Sequence, residues 1–520
     1  MFDNVFPVKL NNNDELIDKL LNKKILFNKN FGDVFYGDDI WGCGPQDNRT
    51  WKWFLNSFLF LDPLLAGGMG EESYKIMSSW WDKYKCAPLS DDFPWHDHAT
   101  ALRLDRLCRL ALNDRYKESL VEIVVFHANA LMREDFYSKN TNHGFDQSLS
   151  LLLVALVFSD HEEAERWRDT GFNRLINEIN FAFTEEGVHV ENSPAYHFGM
   201  IGNMVRARNL LKVSHGFNYD FDDIFNKALY FLAWITRPDR FVAYIGDSTS
   251  YRPSLAKELL DLPSAPNVEW VATDGKSGEE PKKNFIVFEK SGYAIYRSSW
   301  GPGANQTHVI MKSGFLSKYH RQDDDLNILI YAYGEDWLID SGLYNHNQKD
   351  PIRIYMRSIK AHNVPYIPGV SIDRVNCSED FSFIREVTEP GFLYAFEGVT
   401  KMYKEGVVKR RVMIKNENEI KIKDNFLEFD NKQKFWLFHF PKDKKIKFEN
   451  GKIVVMGKNK NLIVRVSDVA LGMRVRVGLD DKFPSFESKN ANVLVDSQVV
   501  IVGPSENNDV IFDFVFENTH

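Results

Sequence analysis

A polar and aromatic segment, residues 319–325, leads into a run of strand-forming residues in the second half of the chain. It carries His320 and Gln322, and it is followed by Asp340 and, further on, by His362. An imidazole can act as a general base or acid near neutral pH, and imidazole, carboxylate and amide groups also bind metal ions. Because these residues stand at predicted strand ends, their side chains can converge. The residues alone leave both an acid–base site and a metal site open.

Charged residues near this segment also have structural interpretations. Asp323 to Asp325 form a run of like charge, which usually lies on a solvated loop. Arg353 and Arg357 could bind carboxylates or sulfates, because a guanidinium matches such groups. They could equally form salt bridges with the acidic excess of the chain. The sequence does not separate these alternatives.

Two segments in the first half of the chain combine polar and aromatic residues just before predicted helices. One begins with Asn142 and His143, and the other, ENSPAYH, holds Glu191 and Tyr196. Asn142 could simply cap a helix, and Ser193-Pro194 could start one, with Tyr196 as a core aromatic. The same groups could instead supply an amide donor and a phenolic acid.

Hydrophobic periodicity predicts that helices position the two segments that contain Asn142 and Tyr196. Apolar residues recur at helical spacing, and Gly- and Asn-containing breakers separate the runs. Many amphipathic helices in series predict paired helices wrapped into a toroid or solenoid. The predicted helices span residues 51–65, 71–84, 100–113, 116–132, 148–158, 161–181, 198–213 and 221–235.

The pattern changes after residue 262. Residues 263–283 are rich in Pro, Gly and charge and are predicted to form a linker. From residue 284 onward, short runs of strand formers alternate with turns, which predicts an antiparallel β-sandwich. The predicted organisation is therefore a helical domain over 1–262, a linker over 263–283 and a β domain over 284–520. The clearest predicted strands are residues 285–288, 308–311, 326–332, 337–339, 419–422, 453–455 and 510–516.

Taken together, these segments resemble the heparinase II/III family of polysaccharide lyases, its heparinase III members above all. The matching motifs follow in the family's order: Asn142-His143, NSPAYH from Asn192, HRQxD from His320, DSG from Asp340 and AHN from Ala361. The resemblance covers most of the chain. It implies an incomplete (α/α) toroid followed by an antiparallel β-sandwich, with an active site in the groove between them.

The reaction that the resemblance implies is β-elimination at a uronic acid. A donor must neutralise the sugar carboxylate, a base must remove the proton at C-5, and an acid must protonate the leaving oxygen at C-4. Asn142, with His143 beside it, matches the family's neutralising residue. His320 matches the base and Tyr196 the acid; for one uronate epimer, Tyr196 could serve as both.

The resemblance also implies a structural metal site. Its predicted ligands are Gln322, Asp340 and His362, which would hold the His320 loop in place and take no direct part in elimination. Many relatives have His where this chain has Gln322, and an amide oxygen is a harder and weaker ligand than imidazole. This lowers the expected affinity for zinc and leaves zinc, calcium, manganese or an empty site as alternatives. Substrate contacts are expected from six further residues: His96, His98, Arg103, Glu191, Arg353 and Arg357.

Composition limits the classes of partner. The 520 residues are 44% hydrophobic and 26% charged, as in globular proteins, and the net charge is −9. No long Lys/Arg block is present, so a nucleic-acid surface is not expected. No stretch of about 18 apolar residues occurs, so no membrane span is expected. Met1–Pro7 lacks a signal-peptide pattern, which predicts a cytoplasmic protein unless an export signal precedes this sequence.

The favoured function is a lyase that acts on an acidic polysaccharide, either a heparan-sulfate-like glycosaminoglycan or another polymer of uronic acids. The acidic net charge favours a polymer bearing carboxylates over a heavily sulfated one. The alternative is a catalytically silent protein on the same scaffold that binds carbohydrate or assists polysaccharide synthesis. The sequence predicts neither the oligomeric state nor whether cleavage is endo or exo.

Overall fold

A computed structural model describes residues 12–28, 32–89, 93–214, 221–374, 380–468 and 471–519. The N-terminal residues that entered the prediction of localisation lie outside these ranges. The chain divides into two compact units. Unit 1 consists of residues 1–182 and 203–219, and unit 2 of residues 183–202 and 220–520.

Unit 1 is mainly helical in its described part. Helix α7 is apolar almost all round, and it packs against α5, α6 and α8, as expected for a helix without a solvent face. A short antiparallel hairpin, β1 (Lys24–Asn28) and β2 (Gly32–Phe35), lies near the N-terminus. The helices are α1 (Asn13–Leu21), α2 (Arg49–Asn56), α3 (Asp62–Ala66), α4 (Gly70–Tyr84), α5 (Asp97–Ala111), α6 (Asp114–Met132), α7 (Asn142–Val157), α8 (Ala164–Ala182) and the second half of α9 (Pro194–Val213).

Two of the differences between the predicted and observed helices of unit 1 have a clear local cause. The predicted helix over 51–65 is interrupted at Phe58, whose φ of +60° lies in the left-handed region and ends α2 before α3 begins. Helix α7 begins at Asn142 and not at residue 148, because the Thr141 hydroxyl accepts a hydrogen bond from Gly144 N at 3.2 Å and caps it. Thr141 is therefore the cap, and Asn142 lies exposed in the first turn.

Unit 2 contains the first half of α9, helices α10 (Asp222–Ile235), α11 (Ala265–Thr273) and α12 (Pro351–Met356), and the remaining strands. The strands are β3 (Phe285–Phe288), β4 (Tyr293–Arg297), β5 (His308–Lys312), β6 (Asn327–Ala332), β7 (Glu335–Leu338), β8 (Pro365–Tyr366), β9 (Ser382–Val387), β10 (Tyr394–Thr400), β11 (Val407–Asn416), β12 (Glu419–Leu427), β13 (Lys434–Pro441), β14 (Lys445–Glu449), β15 (Lys452–Met456), β16 (Lys460–Val466), β17 (Met473–Val477), β18 (Phe486–Asn490), β19 (Val493–Ser505) and β20 (Asp509–Asn518).

The strands of unit 2 form three antiparallel sheets around one large core. An eight-stranded sheet has the order β14-β15-β16-β20-β12-β11-β10-β9, and its strands alternate buried and partly exposed residues, as in β12. The second sheet, β17-β19-β13-β8 with β18 beside β19, and the third, β3-β4-β5-β6-β7, include strands buried on both faces, such as β13 and β6. Residues of all three sheets share the core.

The predicted linker over 263–283 includes regular structure. It contains α11, whose Val268 and Val271 are buried, and Pro266 stands in the first turn, where its missing N–H is tolerated. The predicted boundary near 262 also lies within unit 2. Backbone hydrogen bonds explain this, since Leu343 N donates to Ser248 O and thereby joins the segment after α10 to the strand region. In the described part of the chain, no helix is both long and apolar enough to cross a membrane.

Candidate active site

A buried carboxylate, Asp247, is the centre of a polar cluster in unit 2. It accepts hydrogen bonds from His320 Nδ1 at 2.7 Å, from Gln322 Nε2 at 3.2 Å and from both terminal nitrogens of Arg353, one of them at 2.6 Å. Burial would raise the pKa of Asp247, but the hydrogen bonds from His320 and Arg353 and the charge of Arg353 lower it to about 2. Asp247 is therefore a permanent anion at neutral pH.

Asp247 determines which nitrogen of His320 is free to react. A carboxylate only accepts hydrogen bonds, so His320 Nδ1 carries the proton and Nε2 carries the lone pair. The side chain is 25% exposed, and Nε2 lies 3.7 Å from Glu191 Oε2. The backbone φ of His320 is +53°, in the left-handed region that non-glycine residues adopt uncommonly. This arrangement suits a general base.

Tyr196 lies against His320, with 4.1 Å between the two ring centroids. It stands in the first turn of α9, where the Ser193 hydroxyl accepts a hydrogen bond from Tyr196 N at 3.3 Å, as the interpretation of Ser193-Pro194 as a helix start requires. Burial, together with the charges of Asp247 and Glu191, raises the pKa of Tyr196 well above its usual value. The phenol is therefore protonated and suited to act as an acid.

Asn192 joins the segment of Tyr196 to the loop of His320. Its buried amide donates hydrogen bonds to the carbonyl oxygens of Ser317 and Tyr319, both at 2.9 Å. Its φ of +57° is also left-handed. Because these hydrogen bonds hold the loop of His320 against the segment of Tyr196, Asn192 is a positioning residue for the two rings.

The residues predicted to bind a metal lie beside this cluster. The hairpin of β6 and β7 brings Gln322, before β6, and Asp340, after β7, to the same sheet edge. Asp340 accepts from His362 Nδ1 at 2.6 Å and from Gly246 N at 2.5 Å, and the second bond fixes the turn that carries Asp247.

The donor set is compatible with a metal ion. Gln322 Oε1 and His362 Nε2 are buried acceptors without a hydrogen-bond partner in the described structure, and a carboxylate on His Nδ1 is a common outer partner of metal-binding imidazoles. No group of three His, Cys, Asp or Glu side chains suited to a metal occurs among the described residues. The predicted site therefore depends on the amide of Gln322.

The aspartate run does not form a solvated loop. Asp323, Asp324 and Asp325 are all buried. Asp324 pairs with Lys312 at 2.6 Å and Asp325 with Arg321 at 2.9 Å. The run is thus a set of buried ion pairs beneath the His320 loop, and the expectation from its charge was wrong because each carboxylate has a partner distant in sequence or across a turn.

The two candidate arginines of this region differ. Arg353 is buried and its charge is neutralised by Asp247, so the salt-bridge interpretation applies to it. Arg357 is only partly buried and has neutral acceptors, Gln348 Oε1 at 2.6 Å and Arg321 O at 3.1 Å. Arg357 therefore keeps the geometry of an anion-binding residue.

The remaining candidates belong to unit 1. Asp97 contacts His143 Nδ1 at 3.0 Å and His96 Nδ1 at 2.9 Å, and the His143 side chain is 33% exposed. Burial would raise the pKa of Asp97, but the hydrogen bonds from His143 and His96 hold it far below its usual value. The His98 ring stacks on His143 with centroids 4.2 Å apart. These residues form one polar cluster, Asn142 precedes His143 in the sequence, and the proposed roles of all of them remain predictions.

Arg103 requires a correction, because it cannot contact substrate in this structure. It is fully buried, and its guanidinium donates to His127 Nε2 at 2.8 Å and to Pro94 O at 2.9 Å. It also lies 3.7 Å from the Trp80 ring centroid, a cation–π contact. Arg103 is a core residue of unit 1.

Sequence reasoning missed Asp247 and His346. Asp247 lies 73 positions before His320 in a turn to which no chemistry was assigned, although a carboxylate after the apolar run FVAYI signals a buried polar group. His346 is exposed, and its ring lies 6.3 Å from that of His320 in an edge-to-face arrangement. No motif marked His346.

Known proteins resemble this chain in sequence. It is 24% identical over 410 residues to a heparin-sulfate lyase of Bacteroides stercoris, covering 69% of this chain and 60% of that protein. It is also 24% identical over 376 residues to a heparin-sulfate lyase of Pedobacter heparinus, covering 67% and 57%. The chain thus spans about three-fifths of the length of these relatives.

Solved structures resemble it in fold. A crystal structure of heparinase III has a TM-score of 0.78 at 17% identity and covers 99% of this chain and 86% of that one. A mutant of the heparan sulfate lyase HepC from Pedobacter heparinus has a TM-score of 0.75 at 18% identity and covers 100% and 86%. These likenesses confirm the predicted fold class, a helical toroid followed by an antiparallel β-sandwich.

Two protein-family models match nearly the whole chain between them. "Heparinase II/III N-terminus" matches residues 6–262, and "Heparinase II/III-like, C-terminal" matches residues 280–509. The two matches follow one another in the order that their names require. The chain therefore belongs to the heparinase II/III family.

Proposed function

We propose that this protein is a polysaccharide lyase that cleaves a uronic-acid-containing glycosaminoglycan by β-elimination. The observation that carries the proposal is the pairing of a protonated phenol and an oriented imidazole, Tyr196 and His320, with ring centroids 4.1 Å apart and Asp247 on Nδ1. An acid and a base of this kind are what the elimination needs. The names of the relatives favour a heparan-sulfate-type chain as the first substrate to test.

In the proposed reaction, His320 Nε2 removes the proton at C-5 of the uronate. The electron pair of that C–H bond forms the C4–C5 double bond, the C4–O bond breaks, and Tyr196 gives its proton to the departing oxygen. Asp247 stabilises the imidazolium that forms. Proton transfer from His320 to the Tyr196 phenolate then restores both groups.

We propose from the sequence resemblance that Asn142 neutralises the sugar carboxylate. Asn142 is exposed in the first turn of α7, and His143 is held by Asp97 beside it. A helix N-terminus carries partial positive charge and free N–H groups, which favour an anion. An amide donor at this position would lower the barrier to removing the C-5 proton by stabilising the enolate-like intermediate.

The test is incubation with a panel of polymers, namely heparan sulfate, its unsulfated backbone, chondroitin-type chains and alginate. We expect ultraviolet absorbance from unsaturated uronate on at least one polymer, and we expect Tyr196→Phe and His320→Ala to abolish it. Tyr74→Phe, which removes a hydroxyl from a ring that stacks on Tyr116 in unit 1, is the matched control. Binding of a polymer without absorbance would contradict the lyase and favour the catalytically silent alternative.

We further propose that a divalent ion, when bound, is held by Gln322 Oε1 and His362 Nε2 and fixes the loop of His320. Asp340, the third predicted ligand, instead orients the His362 ring through Nδ1. The two unpaired buried acceptors support this proposal. After treatment with a chelator, adding Ca²⁺, Mn²⁺ or Zn²⁺ one at a time should raise the melting temperature of the wild type but not of His362→Ala. Equal melting temperatures with and without every ion would contradict it.

A further inference from the structure

The loop before α12 carries a chain of hydrogen bonds that ends beside His320. Arg357 Nη1 donates to Gln348 Oε1 at 2.6 Å, and Gln348 Nε2 donates to His346 O at 3.4 Å. At one end of this chain the His346 ring faces His320, and at the other Arg357 donates to the carbonyl oxygen of Arg321, the next residue after His320. The three side chains therefore border the proposed base on two sides.

Arg357 has no carboxylate partner in the described part of the chain, unlike Arg353 one helical turn earlier. Its hydrogen bonds to two neutral oxygens leave other N–H groups of the guanidinium unused. Burial and the neighbouring charges of Arg374 and Arg353 lower the pKa of Arg357. A bound anion would therefore stabilise the charged guanidinium. Among the described residues Arg357 forms no direct ion pair, although Asp247 and Asp323 lie near enough to raise its pKa in part.

The loop itself is ordered by its own side chains. The amide oxygen of Asn345 accepts from Asn347 N at 2.9 Å, and Asn345 Nδ2 donates to Asp350 at 2.8 Å. Asp350 in turn caps α12 by accepting from Ile352 N at 2.8 Å. Such internal bonds set the positions of binding groups before a ligand arrives and reduce the entropic cost of binding.

We infer that Arg357, Gln348 and His346 form a subsite for an anionic group of the substrate, either a sulfate ester or a carboxylate, on a sugar next to the bond that is cleaved. The inference rests on the proposed function for the identity of the ligand. It gives Arg357 a binding role and Arg353 a positioning role, although both stand on the same short segment.

The test compares Arg357→Gln with Lys349→Gln, which removes an exposed charge from the same loop. Sulfated and unsulfated forms of one uronate oligosaccharide are titrated by calorimetry in a Tyr196→Phe background that prevents turnover, and steady-state kinetics are measured without that change. We expect Arg357→Gln to raise Kd and KM about tenfold with kcat within about twofold. Lys349→Gln should change each constant by less than about twofold.

Comparing the sulfated with the unsulfated oligosaccharide identifies the anionic group that the subsite binds. A loss confined to the sulfated oligosaccharide assigns a sulfate, and an equal loss on both assigns a carboxylate. His346→Ala, at an exposed position, should weaken binding about threefold, and it keeps the test valid if Arg357→Gln fails to fold. Equal effects of Arg357→Gln and Lys349→Gln, or no binding of either oligosaccharide, would overturn the inference. Binding that depends on Arg357 without any unsaturated product would instead overturn the proposed function.

Discussion

His98 in unit 1 and His320 in unit 2 both contact a buried aspartate, but only one of the two imidazoles is open to solvent. His98 lies 2.8 Å from Asp146 with 10% of its side chain exposed, and Arg206 closes the other side of that carboxylate. His320 has 25% of its side chain exposed. The same pairing therefore leaves the His320 ring more accessible, as its proposed role requires, and the His98 ring less so.

His143 is an intermediate case. Like His320, it is oriented by a carboxylate, Asp97, and is partly exposed, but it follows Asn142 in the sequence and stacks on another imidazole, not on a phenol. This comparison predicts that substitutions at the open pairs affect catalysis, whereas those at closed polar groups affect stability.

The largest effect is expected from Asp247→Asn. An amide at this position can favour the wrong tautomer of His320, so kcat should fall by about ten-thousandfold, as for the corresponding Asp→Asn change in a Ser-His-Asp triad. The value of kcat is measured from the ultraviolet absorbance of the unsaturated product. The assay temperature is one at which circular dichroism shows that the variant is folded. Asp146→Asn is the matched change in the closed pair and should leave kcat within a few-fold. Equal losses of kcat would mean that the two pairs are not functionally distinct.

Asn142→Ala tests the proposed carboxylate-neutralising residue of unit 1. Removing one donor that stabilises a developing anion typically lowers kcat by about a hundredfold. Because Thr141 caps α7 and Asn142 is exposed, the melting temperature should remain within about 1 °C of the wild type. Steady-state kinetics with thermal melting checks both. A fall in melting temperature with unchanged kcat would show a structural residue.

Arg103→Leu tests a closed polar group. The change leaves buried acceptors such as Pro94 O without a donor, so the free energy of unfolding should fall by about 3 kcal/mol. KM should not change, since the guanidinium is fully buried. Urea unfolding and steady-state kinetics measure the two quantities. A higher KM with unaltered stability would restore Arg103 as a substrate contact.

The smallest effect concerns pH. The folded pKa values of Asp146 and Asp247 are both about 2, below the value near 3.9 expected in the unfolded chain. Their contribution to stability is complete above about pH 4 and is lost as pH falls through 2, at about 2 kcal/mol each. The urea midpoint, followed from pH 5 to pH 2.5, should fall more steeply for the wild type than for Asp146→Asn. Parallel curves would contradict the assigned shift.

Local pattern was enough to predict most of the elements. Periodicity places α4 and α6 within two residues of their observed bounds, and the strand over 285–288 coincides with β3. These elements are determined by which side chains face the core, and that information lies in neighbouring residues. The break at Phe58 was not predictable in this way, because a left-handed residue other than glycine depends on tertiary packing.

The site was predictable only where its residues carry a motif. Tyr196 and His320 were found and lie together, whereas Asp247 was missed because its partners are 73 to 106 positions away. Helix α11 was read as a linker because its Pro and charged neighbours outweighed two buried valines in a short window. Contacts between distant segments decide such cases, and composition does not report them.

One amide, that of Asn192, binds two backbone carbonyl oxygens of the loop that carries His320. Because Asn192 bonds Ser317 and Tyr319 from a position four residues before Tyr196, the acid and the base share an anchor. A substitution that displaces the His320 loop to admit a bulkier sugar should therefore displace the Tyr196 side chain as well. Altered specificity is better sought in the neighbouring subsites, where side chains can be exchanged without disturbing that common support.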